Sequence, residues 1–280
     1  TPNPCVLCNT HIKWDSLLRR ADKLGCDYIA TGHYAKVREE NGRYVISRGK
    51  DLNKDQSYAL WGVSQESLSR TILPLGDLTK PEIRKMAEDK GFYELVNKSE
   101  SYEICFVPDN DYRGFLKRRV EGLEDAVKGG EFVLEDGTVV GTHEGYPFYT
   151  VGQRKGLGIA LGYPVYVTEI QKDKNRVVLG TFDELSRDGM YVKNLVMSKY
   201  TSLDDRLDTI TKVRYNDDGA PAVIEQVGDT MKVFFGNGIP AIAPGQAAVF
   251  YEGDDVIGGG WIHSSFNQQK LKNEALSNSI

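Results

Sequence analysis

Asp27-Tyr28-Ile29-Ala30-Thr31-Gly32-His33-Tyr34 is the stretch that decides the fold class of the first part of the chain. Residues 27–31 predict a short buried strand, and Gly32-His33 predicts a turn directly after it. The preceding residues predict a helix over 10–24, because apolar side chains recur there at spacings of three and four and Gly25 follows where a helix would end. A helix followed by a buried strand is typical of α/β domains.

Downstream residues continue this alternation of strands and helices. Asn41-Gly42 lies between two β-prone segments and is a strong signal for a β-hairpin. Thr79 and Glu82 have the spacing of a capping box, which predicts that a helix begins there. Another helix is predicted over 112–120. The residues up to about 121 therefore indicate an α/β domain.

From about residue 122 the pattern changes to short β-prone segments separated by turn residues, with almost no helical periodicity. This texture predicts β-rich domains. The pattern alone leaves open whether they form one unit or two. The polar stretch 197–208 is the preferred boundary if there are two.

Composition excludes several classes of protein. The 280 residues carry 35 Lys and Arg against 40 Asp and Glu, a net charge of −5, which argues against a histone-like nucleic-acid binder. The sequence has no run of 18 apolar residues, so a membrane span is not expected. Four cysteines are too few for a disulfide scaffold, and the cytoplasm is the expected compartment.

Three cysteines are the candidates for chemistry. Cys5 and Cys8 form a Cys-x-x-Cys pair before the predicted first helix, whose positive end would lower a thiol pKa. The alternative is that both are small buried apolar residues. Cys105 lies between Ile104 and Phe106, a setting more typical of a core residue. Zinc would lack a fourth ligand, but three thiolates could hold an iron–sulfur cluster with one open iron.

Seven motifs follow one another along the chain. They are Thr1-Pro2-Asn3-Pro4-(x)3-Cys8-Asn9, Ala30-Thr31-Gly32-His33-Tyr34, Lys54-Asp55-Gln56-Ser57-Tyr58, Ile104-Cys105-Phe106, the segment 149–157, Arg214-Tyr215 and the glycine-rich ending 245–262. In this order they resemble the motifs of the tRNA-specific 2-thiouridylase family over nearly the whole chain. The resemblance implies a partial α/β domain of the PP-loop, adenine-nucleotide-hydrolase-like type over 1–121, followed by a central β-rich tRNA-binding domain over 122–196 and a β-barrel over 197–280.

The resemblance implies an enzyme that replaces the C2 oxygen of the wobble uridine of tRNA with sulfur. ATP, with Mg²⁺, would adenylate that oxygen, because a uracil carbonyl is a poor electrophile until its oxygen becomes a good leaving group. Cys105 would carry the sulfur as a persulfide, loaded by a sulfur-donor protein. Cys8 would be the nucleophile that frees the sulfur, leaving a Cys8–Cys105 disulfide.

The same resemblance assigns binding roles to other residues. Gly32 aligns with a glycine of the ATP site, where a missing side chain lets the backbone approach the nucleotide. The segment that meets the target base corresponds to Asn3, Pro4 and Cys5. The positions expected to contact tRNA are Lys54, Asp55, Gln56, Arg214 and Tyr215, of which Tyr215 could stack on a base.

Two departures from the family pattern give alternatives. Many members have Asp where this chain has Cys5, so Cys5, Cys8 and Cys105 could instead hold a [4Fe–4S] cluster that serves the same substrate. The family's Ser-Gly-Gly-x-Asp-Ser loop, which grips the pyrophosphate of ATP, does not occur in these residues. The chain alone is therefore expected not to thiolate tRNA, and a non-catalytic tRNA-binding fragment is the second alternative. A general Cys-x-x-Cys oxidoreductase, for which Cys105 would be dispensable, is the third.

Overall fold

The computed structural model describes residues 4–96, 105–107, 109 and 111–267. A π-helical segment, Cys8–Trp14, connects the first two α-helices without a break. The helices are α1 (Cys5–Leu7), α2 (Asp15–Lys23), α3 (Gln65–Ser69), α4 (Lys80–Asp89), α5 (Tyr93–Val96), α6 (Tyr112–Arg119) and α7 (Leu123–Val127). The strands are β1 (Ile29–Ala30), β2 (Ala35–Glu40), β3 (Arg43–Arg48), β4 (Thr71–Ile72), β5 (Gly130–Leu134), β6 (Val139–His143), β7 (Tyr166–Gln171), β8 (Arg176–Gly180), β9 (Ser186–Met197), β10 (Leu207–Lys212), β11 (Ala220–Val227), β12 (Thr230–Pro240), β13 (Ala247–Glu252) and β14 (Asp255–Phe266).

The first part of the chain is an α/β unit, as its sequence predicts. Strands β1 and β4 pair in parallel, with Ile29 opposite Thr71. A parallel pair needs a crossover connection, and here β2, β3 and α3 lie between the two strands in the sequence. The indole Nε1 of Trp14 donates to Thr71 Oγ1 at 2.7 Å, which fixes the first helix against β4.

Helix α4 begins at the expected capping box. Thr79 Oγ1 accepts a hydrogen bond from the backbone N–H of Glu82, and the Glu82 carboxylate accepts from the backbone N–H of Thr79. This reciprocal pair satisfies N–H groups that have no partner within the helix. The helix predicted over 112–120 is also present, as α6.

The predicted hairpin forms, but it joins an unexpected sheet. Asn41 and Gly42 have φ of 51° and 74°, the left-handed conformation that a tight two-residue turn requires. Beyond the turn, Ser47 of β3 pairs with Asp255 of β14. The Asp255 carboxylate also accepts hydrogen bonds from Arg38 and from Ser47, at 2.7–2.9 Å. The hairpin therefore fastens the α/β unit to the C-terminal part of the chain.

The central β-rich part is a four-stranded sheet in the order β6-β5-β8-β7. Strands β5 and β8 are parallel, whereas the outer pairs are antiparallel. Phe132, Val167, Val177 and Leu179 are almost completely buried in its core. This part therefore has a core of its own.

The C-terminal part is a closed β-barrel, as predicted. Its strands follow the order β13-β10-β11-β12-β9-β14, and β14 pairs back onto β13. Strand β9, residues 186–197, is hydrogen-bonded into this barrel although the sequence analysis assigns most of it to the central domain. The polar stretch 197–208 is mostly the loop between β9 and β10. Polar composition is typical of surface loops, and such a loop need not separate two domains. The domain limits at 121 and 196 stay predictions.

One hydrophobic core joins the first helix to the barrel. Val6 and Trp14 of that helix are buried together with Tyr58, and with Val249 and Tyr251 from the outside of the barrel. Because closely packed cores deform little, this shared core fixes the position of the helix relative to the barrel.

Candidate active site around three cysteines

Cys5 and Cys8 lie inside the first helix, not before it. The helix is predicted to begin at Thr10 but begins at Cys5, and the backbone N–H of Cys8 donates to the carbonyl of Pro4 at 2.9 Å. The prediction failed because it followed apolar spacing, whereas proline is well tolerated at a helix start. The two cysteines are thus one helical turn apart, on neighbouring parts of the helix surface.

Two side-chain hydrogen bonds, one local and one to a distant residue, accompany the π-helical segment that follows. Thr10 Oγ1 donates to the carbonyl of Val6 at 2.9 Å, which competes for an acceptor of the regular helix. The buried Asn9 side chain donates to the carbonyl of Ala59 at 3.0 Å. Side chains that enter the backbone ladder in this way distort a helix, and π-helical turns are frequent at functional sites. Asn9 also ties the cysteine-bearing helix to the short turn Ser57–Leu60.

Cys105 lies in the same neighbourhood. Burial by surrounding protein raises the pKa of the Cys5 thiol, Lys13 partly offsets this, and electrostatic interaction with Cys105 and Cys8 raises the pKa further. Cys5 is therefore within electrostatic reach of both Cys8 and Cys105. Cys105 is exposed, so the expectation that its sequence setting is typical of a core residue is wrong. Cys5, Cys8, Cys26 and Cys105 all carry thiols and none is part of a disulfide.

Next to the sulfurs, His33 and Lys13 flank the glycine expected at the ATP site. Lys13 Nζ lies 3.4 Å from His33 Nε2, and His33 Nδ1 lies 2.8 Å from Thr31 Oγ1. An ammonium can only donate, so Nε2 accepts and the neutral ring donates from Nδ1 to Thr31. Burial, with help from the charge of Lys13, lowers the pKa of His33 to about 4.

Gly32 has space around it. A Cβ built on Gly32 would meet only the Leu75 Cδ1 atom, at an ordinary contact distance of 3.7 Å. Its φ is not in the left-handed range, so neither backbone conformation nor packing within the described residues requires glycine there. A ligand that approaches the backbone would explain the glycine, and this fits the expected nucleotide site.

The predicted tRNA-binding loop is held in place by its own polar groups. The Asp55 carboxylate accepts hydrogen bonds from the backbone of Gly49 and from both the backbone and the hydroxyl of Ser57, at 2.7–3.2 Å. Gln56 Oε1 accepts from the backbone N–H of Tyr34 at 3.1 Å. Both side chains therefore shape the loop that carries Lys54. Their contact with tRNA stays a prediction.

Tyr215 brings a barrel loop to the cysteines. Its hydroxyl donates to the Asp55 carbonyl at 3.4 Å, and its ring packs edge-on against Tyr58 with centroids 5.8 Å apart. Burial raises the pKa of Tyr215, as do the nearby Asp55 and Cys5, whereas Lys54 lowers it. Tyr215 is still 37% exposed, and Arg214 beside it is exposed. Residues from two distant parts of the sequence thus meet beside Cys5.

Of the three residues expected to meet the target base, Asn3 lies outside the described residues, whereas Pro4 and Cys5 are at the start of the helix.

The expected cluster site can be compared with the structure. Among the residues that are described, no group of three or more His, Cys, Asp or Glu side chains could hold a metal ion. Cys5, Cys8 and Cys105 are among these described residues, so their arrangement in this structure does not fit an iron–sulfur cluster. We therefore derive no step through iron.

Lys13 and His33 are site residues that the sequence analysis did not assign to this site. His33 was considered there only as part of a turn and of a motif. Lys13 follows Cys8 by five positions on the same helix, and nothing in the sequence pairs it with His33. The sequence signal for His33 was its position next to Gly32 in the motif.

A separate observation concerns membranes. Within the part of the chain that the structure describes, no helix has both the length and the apolar character needed to cross a bilayer.

Comparison with known protein families divides the chain into three matching regions. Residues 1–109 match the tRNA methyl transferase HUP domain, and residues 113–181 match the tRNA methyl transferase PRC-barrel domain. Residues 187–262 match the aminomethyltransferase beta-barrel domain. These regions correspond to the α/β unit, the central sheet and the closed barrel.

Similar proteins cover nearly the whole chain. A tRNA-specific 2-thiouridylase MnmA of Amoebophilus asiaticus is 81% identical over 273 residues, which are 97% of this chain and 73% of the relative. The protein of the same name from Cytophaga hutchinsonii is 74% identical over 96% of this chain and 73% of its own length. That from Salinibacter ruber is 58% identical over 94% of this chain and 70% of its own length. With the fold and the three cysteines in place, these identities show that the chain belongs to the tRNA-specific 2-thiouridylase family.

Proposed function

We propose that the protein transfers sulfur to C2 of the wobble uridine of tRNA after ATP has activated the C2 oxygen. One observation carries this proposal: Cys5 lies within electrostatic reach of Cys8, of Cys105 and of Tyr215, and the Tyr215 hydroxyl is hydrogen-bonded to the loop of Asp55. Thiols next to an exposed aromatic ring combine a sulfur nucleophile with a surface on which a base can stack. The matching domain descriptions mention methyl transfer, but clustered thiols suit sulfur transfer better.

In the proposed relay, Cys105 and Cys8 act in turn. The terminal sulfur of a Cys105 persulfide attacks C2 of the adenylated uridine, and AMP leaves with the former carbonyl oxygen. The Cys8 thiolate then attacks the Cys105 sulfur of the resulting C2-linked disulfide. The sulfur–sulfur bond breaks, 2-thiouridine is released and a Cys8–Cys105 disulfide remains. The exposure of Cys105 supports this assignment, because a sulfur-donor protein must reach it.

ATP is expected on the side of the site that carries Gly32. The open space at Gly32 supports an approach of the nucleotide to the backbone. Lys13 and the neutral His33 supply, at this place, a cation and a ring whose hydrogen bonds are fixed. Mg²⁺ would accompany the ATP phosphates, as is usual for this substrate.

Contacts with tRNA are assigned to both loops that meet at the site. Lys54 and Arg214 would bind phosphates, and Tyr215 would stack on a base. Asp55 and Gln56 order the loop and complete the assigned set. Asn3, Pro4 and Cys5 would meet the target base, because they precede Cys8 directly in the chain and Cys8 must act close to that base.

The test compares single cysteine variants of the protein as encoded by its gene. Cys8→Ser and Cys105→Ser should each abolish 2-thiouridine formation, measured by mass spectrometry of digested tRNA. Cys26→Ser is the matched control, because Cys26 is an exposed thiol that is not assigned to the site, and it should retain activity. Substantial thiolation by Cys105→Ser would contradict the relay and favour a general Cys-x-x-Cys oxidoreductase.

The cluster alternative keeps the substrate and changes the role of the three cysteines. It is separated from the relay by measuring iron and acid-labile sulfide in anaerobically purified protein. Metal-free protein that still thiolates would eliminate the cluster. We further propose a cytoplasmic location, because four cysteines in 280 residues are too few for the disulfide scaffold of a small secreted protein.

A further inference from the structure

The proposed relay ends in a state that cannot accept new sulfur. After one transfer, Cys105 is tied to Cys8, and the bond between them must open before a donor can load Cys105 again. A third thiol stands beside this bond: Cys5 lies within electrostatic reach of both Cys8 and Cys105. The relay as proposed gives Cys5 no part in sulfur transfer.

The helix gives Cys5 and Cys8 a geometry close to that of a disulfide. Residues three apart in a helix have Cβ atoms about 5–6 Å apart, whereas a disulfide needs about 3.5–4.5 Å. The first turn must therefore tighten by roughly 1 Å. Helix ends adjust more easily than helix interiors, and Cys5 is the first residue of α1. The Cys5 residue as a whole is exposed although neighbouring protein partly surrounds its thiol, whereas Cys8 is half-buried.

We infer that Cys5 is the resolving thiol of this site: its thiolate attacks Cys8 in the Cys8–Cys105 disulfide and releases Cys105. The inference rests on the proposed function. It gives the cysteine that replaces the family's common aspartate a chemical role of its own.

The exchange balances without an outside oxidant. Cys5 loses its proton to solvent and is oxidised as its sulfur bonds to Cys8. The Cys8–Cys105 bond breaks, and Cys105 takes the electron pair, is reduced and can bind a proton. An external dithiol reductant then opens the Cys5–Cys8 disulfide, which lies at an exposed helix end.

The rate of the exchange should depend on pH. Because the pKa of Cys5 is raised by burial and by its sulfur neighbours, little thiolate is present at neutral pH. The rate should rise about tenfold for each pH unit below that pKa, since it follows the thiolate fraction. Among the described residues, Lys13 and Tyr215 also interact electrostatically with Cys5; Lys13 lowers the pKa of Cys5, so Lys13→Met should slow the exchange at a given pH.

The experiment follows disulfides in the purified 280-residue chain, without ATP or tRNA. The chain is oxidised with one equivalent of 2,2′-dithiodipyridine at pH 4.5, shifted to pH 8, and quenched at intervals by acid and alkylation. Peptide mass spectrometry maps each disulfide. We expect Cys8–Cys105 to form first and to decay into Cys5–Cys8 as Cys105 becomes alkylatable. Cys26 is the internal control and should stay alkylatable throughout.

Matched variants separate the possible results. In Cys5→Ser the Cys8–Cys105 disulfide should form and persist at least tenfold longer, with Cys5→Ala as a second variant and circular dichroism to verify folding. Equal persistence in the unsubstituted chain and in Cys5→Ser would overturn the inference and leave the relay standing. If Cys8–Cys105 forms in neither, the relay itself is rejected and the inference falls with it.

Discussion

Acidification should destabilise the protein through His33, and the sign follows from its hydrogen bonds. Neutral His33 accepts from Lys13 at Nε2 and donates to Thr31 at Nδ1. A proton added at Nε2 would remove the first bond and place two positive charges together. The folded pKa of about 4 therefore lies below the ordinary value of 6.5. The stabilisation is fully present above pH 6.5 and is lost as the pH falls towards 4.

The size of the loss follows from the two pKa values. Each pH unit between them costs about 1.4 kcal/mol of unfolding free energy, so pH 5 costs about 2 kcal/mol through this one group. His33 is only 7% exposed, which means that solvent screening does not reduce the effect much. At pH 4 and below, the loss approaches about 3 kcal/mol.

Urea unfolding between pH 4.5 and 7.5 measures this contribution. His33→Gln keeps a polar side chain that does not titrate, so its free energy of unfolding should fall less between pH 6.5 and 4.5 than that of the unsubstituted protein. His11→Gln is the control for the loss of a histidine, because the His11 side chain is exposed. NMR titration reports the His33 pKa directly. A value near 6.5, or identical pH slopes for His33→Gln and the unsubstituted protein, would refute the reasoning.

Three further predictions test the glycine, the hairpin anchor and the aromatic surface. Gly32→Ala should leave the stability unchanged but weaken ATP binding in the gene-encoded protein, as nucleotide titration would show. Gly76→Ala should lower the free energy of unfolding by about 3 kcal/mol, because its Cβ would lie 2.3 Å from a backbone carbonyl oxygen, and thermal unfolding checks both variants. Asp255→Asn should lower the free energy of unfolding in urea by about 2 kcal/mol, because the Asp255 carboxylate accepts hydrogen bonds from three side chains. The control Asp254→Asn, at an exposed residue, should change that free energy by less than about 0.5 kcal/mol. Tyr215→Ala should weaken tRNA binding about tenfold at fixed salt and Tyr215→Phe should not, as filter binding would show; equal affinity of the two would contradict stacking.

Features encoded within a few residues could be predicted from the sequence. The turn at Asn41-Gly42 and the capping box at Thr79 are examples, since each depends on groups at most three positions apart. The attachment of the hairpin to the barrel could not be predicted in this way. It depends on Ser47 meeting Asp255, 208 positions later, and on the hydrogen bonds around that carboxylate.

The candidate site divides along the same line. Cys8 and Cys105 become candidates from the sequence because they stand in recognisable motifs, and their roles stay predictions. The start of the helix and its π-helical segment could not, because the buried Asn9 bonds to Ala59, a residue 50 positions away. Lys13 was missed for the same reason, since its relation to the glycine side of the site exists only in three dimensions.

The loop of Asp55 and the cysteine-bearing helix are both anchored to the same part of the barrel. Tyr58, beside the loop of Asp55, donates from its hydroxyl to the carbonyl of Ala247 in the barrel at 2.8 Å, and Ser57 lies within hydrogen-bond distance of Tyr251 at 3.1 Å. The cysteine-bearing helix packs into the same core. Under the proposed function, a tRNA bound at the barrel loop would be held in a fixed position relative to the cysteine-bearing helix. Because positioning errors of about 1 Å can cost a hundredfold in rate, a substitution that loosens Tyr58 should impair thiolation more than tRNA binding.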